Sequence, residues 1–168
     1  MIDIAAFQRS VVQLVALASG IANSQIQLIR DGELPELSGC YCSIQLMNDR
    51  TIGAPSPTYK ASGTIDVLDE EINVATQFTL SVNFFRNGAM QFAHNMRPAG
   101  FRSAVQQHLY ENDLGWLRFG PINNLTGFFS GQYEERAQAD LLLLADGLDT
   151  GQVNQALSVD VDITQPLE

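Results

Sequence analysis

The stretch Tyr133-Glu134-Glu135-Arg136-Ala137-Gln138-Ala139-Asp140 runs without a break into four leucines, and strand periodicity there carries four ionisable groups. Read as a strand, it places Tyr133, Glu135, Ala137, Ala139, Leu141 and Leu143 on one face and Glu134, Arg136, Gln138, Asp140 and Leu142 on the other. The first face packs and the second is polar. Catalysis would need a nucleophile or a base of tuned pKa, and this segment offers carboxylates around an always-protonated guanidinium, a set suited to salt bridges. Glu134, Arg136, Gln138 and Asp140 are therefore candidate subunit-interface residues, with Arg136 meeting a carboxylate of its own strand face or of an adjacent subunit.

Other reactive residue types are sparse. Cys40 and Cys42 are one residue apart. A disulfide ring that small is strained, and a metal site needs further ligands at recognisable spacing, so two buried or half-buried thiols on a strand are expected. His94 and His108 stand alone. His108 precedes Glu111 by three residues, which would put an acid-base pair on one helix face, yet it also falls on the apolar side of that helix, where a satisfied core histidine is commoner. No catalytic residue, cofactor or metal is expected, and a small His/Glu enzyme is the minor alternative.

The elements that position these groups follow from periodicity. Ile4, Phe7, Val11, Leu14, Val15 and Ala18 predict a helix from Asp3 to Ser19, with Asp3 as N-cap and Gly20 as C-terminal cap. A short strand at Gln25 to Arg30 precedes a loop through Asp31-Gly32 and Pro35. Cys40 to Met47 alternates as a strand. Asn48 to Ser62, with Gly53, Pro55 and Pro57, reads as a long exposed loop and a candidate contact arm for a neighbouring subunit. Strands are expected at Thr64 to Leu68 and Thr76 to Phe85, the latter with Phe78, Leu80, Val82 and Phe84 on one side.

After Asn87-Gly88 the period turns helical. Ala89, Phe92, Ala93 and Met96 share a face, Pro98 interrupts, and Phe101 to Leu109 forms a second helix. A short apolar segment at Trp116 to Phe119, a loop with strand pieces at Pro121 to Gly131 and a strand at Tyr133 to Ala145 come next. A turn or short helix at Asp146 to Gln155 and a last strand with Leu157, Val159, Val161 and Ile163 close the chain. The fold class is α+β: one domain over residues 1–168, an antiparallel or mixed β-sheet packed by an N-terminal helix and a central broken helix pair.

Composition agrees with one core: 168 residues are 45% hydrophobic, with no membrane-length apolar run and no positively charged start for a signal peptide. A net charge of −10, from 19 acidic and 9 basic residues, opposes binding to a phosphate backbone, and the arginines are scattered. Such a surface suits either solubility or a lumen that nucleic acid slides past.

The alternating strand ending in Asn-Gly (Phe78 to Gly88), the helix from Ala89 broken at Pro98, the Tyr-Glu-x-Arg-Ala-Gln-x-Asp strand at 133 to 140 and a closing strand together resemble the neck or tail terminator proteins of long-tailed bacteriophages. The resemblance covers roughly residues 78 to 163. It implies a virion structural protein assembled in the host cytoplasm as a ring, a hexamer, at the head-proximal end of the tail. There it ends tail-tube polymerisation and joins tail to neck. The implied partners are further copies of the chain, the tail-tube protein, a sheath protein if the tail contracts, a neck or head-completion protein, and genomic DNA passing through the lumen without specific binding. A neck or head-completion connector is the neighbouring alternative.

Overall fold

The computed structural model describes residues 2–29, 37–64, 66–129 and 131–154. Helix α1 (Ile4–Ser19) opens the fold. The Asp3 carboxylate accepts from the Ala5 and Ala6 N–H groups at 2.9 and 3.1 Å, supplying donors that the first turn leaves orphaned. Gly20, at φ 88°, turns the chain out of the helix while its N–H reaches the Ala16 carbonyl at 2.8 Å. Phe7, Val11, Leu14, Val15 and Ala18 are buried, as their spacing predicts, but Ile4 is left half in water at 45% exposure.

The sheet is built from β1 (Ile26–Leu28), β2 (Tyr41–Ala61), β3 (Val67–Phe85), β4 (Leu114–Phe119), β5 (Asn123–Asn124) and β8 (Arg136–Asn154), in the order β1-β2-β3-β8-β4, with β5 also on β8. β1 runs parallel to β2 and the other pairings are antiparallel, so the sheet is mixed. Strands β6 (Gly127–Phe129) and β7 (Gln132–Glu134) form a separate ribbon. The helices α2 (Ala89–Met96) and α3 (Ser103–Glu111) join α1 on one face of the sheet, and Pro98 separates them, with a single 3-10 turn at Ala99–Phe101. Phe84, Leu80, Val82, Ile44, Leu141 and Leu143 fill the space between sheet and helices.

Three expectations are corrected. Residues 48–61 are not a loop: β2 continues through them, pairing with β3 as far as Ala61↔Leu68. Pro55 and Pro57 are tolerated because, among the described residues, β2 has no neighbour on its outer side there, and register shifts at Leu46/Asn48 and Ile52/Ser56 absorb the irregular backbone. Residues 146–154 are not a turn or helix but the second half of β8, and β3 runs unbroken from Val67 to Phe85 in a single register with it. Finally, Tyr133 to Ala145 is not one strand. The chain leaves β7 and enters β8 at Glu135. The expected loop at Asp31 to Pro35 and strand at Leu157 to Ile163 lie outside the described residues.

Lengths set the shape. A 19-residue strand such as β3 extends roughly 60 Å, whereas the 16 residues of α1 cover about 24 Å. Half of the three-stranded β2-β3-β8 sheet therefore projects past the helices as an arm.

Candidate assembly surfaces

Glu135 explains the break between β7 and β8. α2 begins at Asn87-Gly88, where Gly88 has no side chain to cap the helix and sits at φ 91°. The Glu135 carboxylate takes over, accepting from the Gly88 N–H at 2.9 Å and the Met90 N–H at 3.0 Å, while its carbonyl accepts from the Arg86 N–H at 2.7 Å. A negative group at a helix N-terminus meets both the free donors and the helix dipole. Sequence periodicity assigned Glu135 only to a packed face. The signal that could have found it was a helix start lacking any capping side chain of its own.

Beyond that break, the polar face of β8 behaves as its period predicts. Ala137, Ala139, Leu141 and Leu143 are buried under the helices, and Arg136, Gln138 and Asp140 face the side of the sheet that carries no helix among the described residues. Register makes Tyr41, Phe85 and Arg136 successive partners across β2, β3 and β8. The Tyr41 and Phe85 rings stack 4.6 Å apart at 9°, with the Arg136 guanidinium carbon 4.6 Å from the Phe85 centroid and that of Arg86 5.3 Å from the Tyr41 centroid. A flanked aromatic pair of this kind fixes both guanidinium groups on the surface.

One step along β8, Gln138 ties the face together. Its amide nitrogen donates to Ser81 Oγ at 3.2 Å and Asp140 Oδ1 at 2.8 Å, and its oxygen accepts from Asn123 at 2.7 Å. Asn83 also donates to Ser81. Glu134 stands apart, in β7, on a polar cleft of about 470 Å³ that Arg86, Cys40 and Tyr133 also line. The four predicted residues thus divide: Arg136, Gln138 and Asp140 share one ordered face, and Glu134 belongs to its margin.

These surfaces hold little reactive chemistry. Burial raises the Cys42 thiol well above its ordinary pKa, with Cys40 adding to the effect, and burial followed by the Glu135 charge raises Cys40. Both thiols are held protonated, the unreactive form. His108 is buried with Nε2 2.9 Å from the Ser10 carbonyl, the core role its position suggested, while Glu111 at the surface accepts from Gln107. Among the described residues no group of three or more His, Cys, Asp or Glu is placed to hold a metal.

A family model described as phage neck terminator protein matches residues 5–166 of the 168. The chain belongs to that family. It is accordingly a structural protein of the phage virion, of the tail and neck, and associates with other proteins there. No curated protein matches the chain. In this neck terminator the arm is a largely exposed surface. Residues 47–61 of β2 are exposed throughout, and the facing strands carry Asp69, Glu70, Glu71, Asp146 and Asp149 against Arg50 and Lys60. Lys60 and Glu71 pair at 2.6 Å, and the exposed Tyr59 hydroxyl is bonded to Glu70, which raises its pKa. No described helix is long and apolar enough to cross a membrane.

Proposed function

We propose that copies of this chain close into a ring, a hexamer, at the head-proximal end of the tail, stopping tail-tube polymerisation and joining tail to neck. The observation that carries this reading is a sheet face without helical cover among the described residues. That face presents a rigid set of charged, aromatic and amide groups (Arg136, Phe85, Tyr41, Gln138, Asp140), and its strands run on past the described helices as an arm. Side chains ordered before binding lose less entropy on contact, which suits a protein whose task is to fit neighbours. The partners on this reading are other copies, the tail-tube protein, a sheath protein in a contractile tail and a neck or head-completion protein. The excess of carboxylates lets genomic DNA pass without sticking. Assembly takes place in the host cytoplasm, and no step requires catalysis.

Light scattering tests the ring: the mass, alone or with tail-tube protein, is expected at several times the 18.4 kDa of one chain. A strict monomer that never joins tubes overturns it. Arg136→Glu is expected to abolish the ring and leave the monomer folded, and an unaltered ring would remove Arg136 from the interface.

A further inference from the structure

Two surfaces outside the β8 face are complementary to each other. The first is a knob. Phe101 ends the 3-10 turn between α2 and α3 with 93% of its surface exposed, and Arg97 and Arg102 beside it are exposed as well. The turn that presents it is braced. Ala99 and Gly100 are buried, and a Cβ on Gly100 would come within 2.9 Å of the Trp116 ring, so no larger residue fits. Gln106 donates to the Gly100 carbonyl, and the Arg102 guanidinium donates to the Ala18 carbonyl at 3.0 Å and the Asn95 carbonyl at 2.8 Å. A large aromatic is thus held rigidly in water with a cationic rim, the composition that interface anchors favour.

The second surface is a hole. Where the arm leaves the helices, Ile4, Leu46, Val74 and Gly147 line an apolar groove of about 450 Å³ with Asp49 and Asp149 also in its wall. Ile4 is the one predicted core residue of α1 left half exposed, and it is exposed here. Gly147 keeps the groove open beside Ile2, whose side chain would lie 3.0 Å from a Cβ at that position.

Knob and hole lie at opposite ends of α1, Arg102 at its C-terminal Ala18 and the groove at its N-terminal Ile4, about 21 Å apart by the helix rise. They cannot meet within one chain. We infer that Phe101 of one copy seats in the Ile4/Leu46/Val74/Gly147 groove of the next, with Arg97 facing Asp49 and Asp149. Apolar fills apolar, cation meets carboxylate, and the two patches differ, so the contact is head-to-tail and propagates around a ring. This rests on the ring reading and names one contact that builds it.

The test uses two full-length variants, Phe101→Glu, which loses the knob, and Val74→Glu, which loses the hole. Each alone is expected at the mass of one chain while the parent assembles. Mixed, they are expected to form a heterodimer and nothing larger, because only one intact knob and one intact hole remain. Circular dichroism checks that Val74→Glu is folded. If it is not, Asp149→Arg replaces it, expected to raise the half-assembly concentration at least tenfold and to be rescued by adding Arg97→Glu. If Phe101→Glu assembles as the parent does, alone or on tail tube, the contact is wrong while the ring stands. If the parent is monomeric under every condition, ring and contact fall together.

Discussion

Between Phe78 and Phe85, β3 buries every second side chain under the helices; between Val67 and Ala75 the same strand, in unbroken register with β8, buries none completely. The ladder of backbone hydrogen bonds is continuous across both halves, and what changes is the cover. The proximal half shows a strand earning its place through a core. The distal half shows that a central strand paired on both sides holds its conformation from neighbours alone, leaving its side chains for outside contacts. Local stability is expected to follow the cover, with the arm opening more readily than the body.

The contrast breaks most sharply on deletion of a core ring. Phe84→Ala, at a fully buried site, is expected to cost about 3 to 5 kcal/mol in denaturant unfolding, against roughly 0.5 kcal/mol for Ile52→Ala in the arm. Equal losses would mean that the arm folds against a core of its own. The second effect is a pH dependence set by a buried thiol of the body. Because the folded state holds the Cys42 proton, stability is full below the unfolded thiol's pKa of about 8.5 and falls above it by about 1.4 kcal/mol per pH unit until the raised folded pKa is reached. Cys42→Ala should flatten that decline in unfolding measurements made between pH 8 and 10, and an unchanged slope would assign it to other groups.

Next comes the joint between strand and helix. Glu135→Ala removes the acceptor for the Gly88 and Met90 N–H groups and is expected to cost about 1 to 2 kcal/mol, with faster amide exchange at the start of α2. Unchanged exchange there would show that water serves as well. The smallest effect belongs to the arm. Lys60→Ala breaks a 2.6 Å pair whose lysine is 60% exposed, and thermal unfolding should move by no more than the equivalent of about 0.5 kcal/mol. A larger shift would show the arm contributing to global stability and blur the distinction between the halves.

Legibility in the sequence divides along the same line. α1 was readable to within a residue, caps included, because its apolar spacing, Asp3 and Gly20 are all local signals. So were the helix break at Pro98, the alternation of Phe78 to Phe84 and the buried face of β8. The arm was misread at 48–61 and 146–154 since neither segment has a buried face to impose a period, while glycine and proline signal turns wherever they are not overruled by a neighbouring strand. The interface candidates were partly legible: alternation placed Arg136, Gln138 and Asp140 on one face, but could not show that Arg136 lies over Phe85 or that Glu134 falls in another sheet.

What the sequence determined by itself was everything set by short-range chemistry: which stretches bury a side, where helices start and stop, an acidic net charge of −10, and membership of a terminator family through the order of these elements. Tertiary structure decided the rest. It turned a proline-bearing segment into strand by pairing it with β3, broke a continuous alternation at Glu135 to cap a helix 45 residues away in the chain, and left Phe101 in water at one end of α1 and an apolar groove at the other. Those outcomes depend on which residues meet across long loops, and no local period carries that information.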